Sequence, residues 1–174
     1  MINFEYDLGV VGLGYVGLPL AVESANAGLK VIGYDVNPER VQEINSGKSP
    51  IEDISDNELS KASNSFTASD DPALLSKCQH IVISVPTPLT DYQPDLSYVE
   101  AAAKSVGKNL VSNQVIILES TTYPGTTLEV LAPNLEKYSN LKAGSDFLVG
   151  YSPERIDPGN KEWKFKNTPK VISG

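Results

Sequence analysis

The chain has 174 residues, 40% of them hydrophobic, with a net charge of −8 and a single cysteine. That length supports one sizeable core and at most a small appendage. The acidic balance argues against general binding to nucleic acid or an anionic membrane surface. Lone Cys78 rules out an internal disulfide framework and a cysteine-based metal cluster; it fits a reducing cytoplasm, and no metal is expected.

In chain order, the first informative stretch is "VVGLGYVGLP", Val10 to Pro19. The fifteen uncharged residues from Leu8 to Val22 fall short of the roughly 18–20 that span a bilayer. Four glycines and a proline interrupt them, and Glu5 and Asp7 precede them where a signal peptide would carry Lys or Arg. A core strand ending in a phosphate-binding turn explains the stretch better. Gly12 falls at the end of the strand predicted within "LGVVGLG", and the residues from Tyr15 to Gly28 suit a helix with Pro19 in its first turn. Gly12 permits the tight turn, Gly14 lets backbone approach a pyrophosphate, and Gly17 lets helix pack closely on strand. Tyr15 and Val16 complete this cofactor-binding turn, whose helix N-terminus offers free N–H groups to phosphate.

The second run, "KVIGYDV", brings Asp35 to the end of a strand, 18 residues beyond Gly17. An acid there accepts the ribose hydroxyls and repels a 2′-phosphate, which favours NAD over NADP. Asn37-Pro38 starts a helix by N-cap and proline, and Asp71-Pro72 repeats that pattern. Ser55 with Glu58 and Ser97 with Glu100 fit capping boxes. The runs "HIVISVP", "QVIILES" and "DFLVGYS" add further Val- and Ile-rich strands. Cys78 is expected half-buried at a helix end or sheet margin, and His80 at a strand end or the surface. Alternating strands and helices imply an α/β class, a doubly wound, mostly parallel Rossmann sheet, with about six strands in a cofactor domain over residues 1–150. The polar, proline-containing residues 151–174 look like the start of a connection.

Three further stretches, "SVPTP" (Ser84 to Pro88), "ESTTYPGTT" (Glu119 to Thr127) and "YSPERIDPGN" (Tyr151 to Asn160), go beyond a generic nucleotide fold. With "GLGYVGLPLA" and "GYDVNPERV" they resemble, in order and spacing, the N-terminal NAD-binding domain of the UDP-glucose/GDP-mannose dehydrogenase family. The "STTYPGTT" and "SPERIDPGN" versions resemble the branch that oxidises UDP-N-acetylhexosamines. UDP-glucose enzymes usually carry an Asn-Pro-Glu-Phe type sequence where Ser152 to Arg155 stands. The resemblance implies oxidation of a sugar C6 alcohol to a carboxylate with reduction of two NAD, for surface polysaccharide precursors. It also implies a cysteine that captures the aldehyde as a thiohemiacetal and, once the second NAD has taken its hydride, carries a thioester, which water hydrolyses.

Carried over by resemblance, Asp35 is the ribose-binding acid and Arg40 a basic residue near the adenosine ribose. Thr87 borders the cofactor, Thr121 lies by the nicotinamide and holds the reactive water, and Glu154 does acid–base work on that water. Residue type alone also allows blander roles: a helix-surface cation for Arg40, a rigid turn for Thr87, a helix N-cap for Thr121, a surface carboxylate for Glu154. Arg155 has two candidate contacts, the sugar nucleotide or a neighbouring subunit. Some relatives place a cofactor-touching glutamate where Pro158 stands. The resemblance puts the nucleophilic cysteine and the dimerising helix downstream of this chain, so a fragment of a cytoplasmic homodimer or higher homo-oligomer is expected, inactive alone. Its partner is a UDP-sugar, with no nucleic acid and no membrane. The alternatives are a UDP-glucose 6-dehydrogenase, another NAD-dependent dehydrogenase such as a β-hydroxyacid dehydrogenase, and a non-catalytic NAD-sensing module.

Overall fold

The computed structural model describes residues 3–155, 162 and 167–174. Strands β1 (Tyr6–Val11), β2 (Val31–Tyr34), β3 (Phe66–Ser69) and β4 (Cys78–Ile83) are followed by a two-residue pair, β5 (Leu89–Thr90) and β6 (Gln93–Pro94). Then come β7 (Val115–Leu118) and β8 (Leu148–Tyr151). Six of them form one sheet in the order β3-β2-β1-β4-β7-β8, parallel throughout, while β5 and β6 make a small antiparallel hairpin.

Side chains alternate across this sheet, and both faces are covered. Leu8, Val10, Val31 and Val82 pack beneath helices α1 (Gly17–Asn26), α2 (Pro38–Asn45) and α3 (Asp56–Ala62). Val11, Ile32, Ile81 and Ile83 pack beneath α4 (Ser97–Gly107), α5 (Ala132–Ser139) and a 3-10 helix at Pro72–Lys77. Two dry faces explain runs of Val and Ile without polar alternation. Edge strand β3 differs: Phe66 and Ala68 are buried and Thr67 is exposed between them.

From β1 the chain winds outward through β2, and from neighbouring β4 it winds the other way through β7. Ligands bind in such sheets at that switch, outside the carboxyl ends of the strands.

The local start signals hold where no closer competitor exists. Asn37 Oδ1 accepts the N–H groups of Glu39 and Arg40, and Ser55 and Glu58 form a reciprocal box. Asp71 accepts Ala73 N–H, but the segment it caps is 3-10 rather than α. Ser97 does not cap: its own N–H donates to Asp95 Oδ1, so it enters the helix as the first residue. That bond also holds the Asp95 carboxyl below the usual carboxylate range. Thr121 does not cap the following helix either; the chain first turns at Tyr123–Thr126 and opens the helix with a π turn at Thr127–Leu131. Cys78 is fully rather than half buried, because the 3-10 helix leads straight into β4 and places the thiol in the same core cluster as Leu75, against Gly9. Burial pushes that thiol up to about 12, leaving it protonated at neutral pH. His80 is partly buried in β4, with Nδ1 3.0 Å from the Asp7 carbonyl.

The residues after β8 return to the sheet edge, where Tyr151 and Ser173 exchange backbone hydrogen bonds of 2.7 and 2.9 Å. Ile156 to Lys161, Pro158 among them, lie outside the described residues. No described helix is long and apolar enough to cross a membrane.

Helix α1 approaches β1 so closely that a Cβ on Gly17 would lie 1.8 Å from the Gly12 carbonyl oxygen and 2.5 Å from Ser84 Oγ. Backbone must move to admit a methyl group, and forced overpacking of this kind costs about 1–3 kcal/mol. Gly17→Ala is therefore expected to lower the melting temperature by several degrees or abolish folding, as read by circular dichroism. An unchanged melting temperature would show that the helix stands further off.

Candidate cofactor-binding cleft

A cleft of about 570 Å³ opens among the loops at the carboxyl ends of β1, β2, β4 and β7. Gly12, Gly14, Tyr15 and Val16 form one wall, with Asp35 and Arg40 beside them. Thr87, Thr121 and Glu154 line the other side. Gly17 is buried beneath the wall rather than in it.

The glycine turn is built from several constraints. Gly12 has φ +91°, and a Cβ there would meet the Ser84 carbonyl at 2.7 Å. Leu13 is fully buried and sits over Gly33, where a Cβ would lie 2.7 Å from its methyl group. The stake formed by Leu13 fixes the height of the turn. Around Gly14 the situation reverses, because a Cβ there meets nothing within 4 Å. Among the described residues no acceptor meets the N–H groups of Gly14, Tyr15 or Val16. Open space over free N–H groups at a helix N-terminus suits a phosphate.

Asp35 is 5% exposed and collects three donors: Leu13 N–H at 2.8 Å, Asn37 N–H at 2.9 Å and Arg40 Nη1 at 3.0 Å. Arg40 is thus the ion-pair partner of Asp35 at the cleft edge rather than a cation free on the helix surface. A carboxylate has about four lone-pair sites, so one remains for a ligand hydroxyl.

Across the cleft, Thr87 Oγ1 donates to the Thr121 carbonyl at 2.6 Å, and Ser120 Oγ bridges both backbone groups of Val85. These bonds tie the loop after β4 to the loop after β7. Glu154 is no solvated surface carboxylate: its side chain is 9% exposed, it accepts Arg155 N–H at 2.6 Å, and Lys170 Nζ lies 3.4 Å away. The Arg155 guanidinium donates to the Pro169 carbonyl.

Sequence reasoning missed two residues here. Glu119 is buried in the cleft and accepts from Lys170. Burial raises its carboxyl above the ordinary range, and the Glu154 charge adds to this while Lys170 opposes it. The one signal available was a glutamate directly after an apolar strand, in "VIILES".

Comparison with known proteins gives concordant results. The model for the NAD-binding domain of the UDP-glucose/GDP-mannose dehydrogenase family matches residues 6–174. A UDP-N-acetyl-D-glucosamine 6-dehydrogenase of Pseudomonas aeruginosa is 45% identical over 98% of the chain, and Protein CapL of Staphylococcus aureus is 43% identical over 97%. The chain spans 40% and 39% of their lengths. The solved structure of a UDP-D-ManNAc dehydrogenase from Pyrococcus horikoshii superimposes with a TM-score of 0.81 at 39% identity, over 87% of this chain and 37% of that one.

Because a side chain at Gly14 points into open space, Gly14→Val should fold normally yet lose NAD binding. Circular dichroism and cofactor titration on one sample check both halves. A variant that binds NAD as the parent does would assign the glycines to packing alone.

Proposed function

This chain belongs to the UDP-glucose/GDP-mannose dehydrogenase family as its NAD-binding domain, and we propose that it is the cofactor half of a UDP-N-acetylhexosamine 6-dehydrogenase. The observation that carries the reading is the meeting of Thr121 and Glu154 in the same cleft as the glycine turn and Asp35. A module that only sensed NAD would need the turn and the acid but not a buried glutamate opposite them. The identity of 45% to an enzyme named for UDP-N-acetyl-D-glucosamine supports the substrate class.

Residues 1–150 hold the cofactor, and 151–174 carry Glu154 and the connection onward. Gly12, Gly14, Tyr15 and Val16 present backbone to the pyrophosphate, and Asp35 with Arg40 takes the adenosine ribose. Thr87 and Thr121 border the nicotinamide end. Bound there, NAD supplies the hydride acceptor for oxidation of the sugar C6 carbon. Glu154 accepts a proton from the hydrolytic water while the Thr121 hydroxyl orients it. The nucleophile comes from a part of the protein beyond this chain, because the protonated, buried Cys78 cannot serve. The working enzyme is a cytoplasmic homodimer or higher homo-oligomer.

Two measurements test the reading. The 174-residue chain incubated with NAD and UDP-sugars should make no NADH above a no-protein control, since neither a thiolate nor the second wall of a sugar site is at hand. A longer protein that contains the chain should oxidise a UDP-N-acetylhexosamine with kcat/KM about tenfold or more above that for UDP-glucose. The reverse preference would move the protein to the UDP-glucose branch.

A further inference from the structure

Three hydroxyl side chains join the loops that carry the cleft. Ser84, directly after β4, places its Oγ 3.2 Å from the carbonyls of both Val11 and Gly12, which ties it to the glycine turn. Ser120, after β7, is 4% exposed; its Oγ accepts Val85 N–H at 3.0 Å and donates to the Val85 carbonyl at 2.7 Å. Thr87 reaches the other way, and its Oγ1 donates to the Thr121 carbonyl at 2.6 Å. Among the described residues, residues 120–122 make no other hydrogen bond. Pro86 and Pro88 flank Thr87 with fixed φ and no N–H, so the loop that presents this hydroxyl is stiff. Its far end is held by Asp95 N–H, which donates to the Pro88 carbonyl at 2.7 Å.

We infer that Thr87 and Ser120 form a latch that positions the Thr121 loop, through which the nicotinamide half of the cofactor is held while the ADP-ribose half is held without it. The inference rests on the proposed placement of the nicotinamide beside Thr87 and Thr121. A threonine hydroxyl has one proton, and Thr87 gives it to the Thr121 carbonyl, so it has none to donate to a ligand. The Ser120 hydroxyl is engaged as donor and as acceptor by Val85. Both are positioning residues. Thr121 is exposed, and the carbonyl that Thr87 holds belongs to the residue whose hydroxyl faces the cleft. Releasing that carbonyl lets the Thr121 side chain leave its place. The glycine turn keeps its own tie through Ser84, and Asp35 keeps its three donors, so the opposite wall does not depend on the latch.

Calorimetric titration of the 174-residue chain with NAD and with ADP-ribose, which lacks only the nicotinamide, separates the two halves. In Thr87→Val, which keeps the shape and removes the hydroxyl, NAD binding should weaken about two- to tenfold while ADP-ribose binding is unchanged. Ser120→Ala should show the same split, and Thr87→Ser should restore NAD binding. Equal loss for both ligands in Thr87→Val, or no loss for either, overturns the latch. So does a Ser120→Ala variant that folds and binds NAD as the parent does, because a direct contact from Thr87 alone would give that result. If Ser120→Ala does not fold, the amide resonance of Thr122 in the ligand-free chain decides, since that N–H shares a peptide group with the Thr121 carbonyl. It should shift in Thr87→Val and return in Thr87→Ser while the Gly14 amide stays in place, and a Thr122 resonance that ignores Thr87→Val overturns the inference. A parent chain that binds NAD without the split in its variants overturns the latch alone, whereas a parent that does not bind NAD overturns the proposed function and the latch with it.

Discussion

Asp35 keeps a carboxylate almost out of contact with water, and three parts of the chain must hold still to make that tolerable. Leu13 N–H comes from the turn after β1, Asn37 N–H from the start of α2, and Arg40 from the first turn of that helix. A buried carboxylate without donors is expensive, and bonds to a charged acceptor are stronger than neutral ones. The same group that we propose binds ribose therefore fixes the glycine turn relative to the second strand. On the proposed reading, binding and local folding depend on one side chain.

The glycines divide the remaining labour by direction. Gly12 and Gly17 face protein, and neither can carry a Cβ without displacing backbone of the other or of Ser84. Gly33 makes room for the Leu13 side chain that anchors the turn from below. Of these four glycines, Gly14 is the one that faces empty space. The motif is thus three packing constraints around one opening, and the opening lies over free N–H groups, where the proposed function puts phosphate.

Most of the fold was legible because its signals are local. Runs of Val and Ile marked the buried parallel strands, and Asn37 and Ser55 cap as their immediate neighbours require. Ser97 failed as a cap because Asp95, two residues earlier, takes its N–H, a competition that the capping-box spacing does not register. Strand β3 carried no distinctive run, since an edge strand of four residues needs only Phe66 and Ala68 inside. The glycine turn and Asp35 were readable from spacing, and Arg40 only through the family resemblance. The partnership of Glu119 with Lys170 was not, because 51 residues separate them and only the return of the tail along β8 brings them together.

Calorimetric titration of the chain with NAD and with NADP tests most directly whether Asp35 governs this cleft. The account predicts clear preference for NAD, because a 2′-phosphate would be brought against a carboxylate whose one spare acceptor site suits a hydroxyl. In Asp35→Ala, NAD binding should weaken by about 1–3 kcal/mol, and the gap to NADP should narrow as Arg40 is released to the phosphate. Equal affinity of the parent chain for both cofactors would contradict the account.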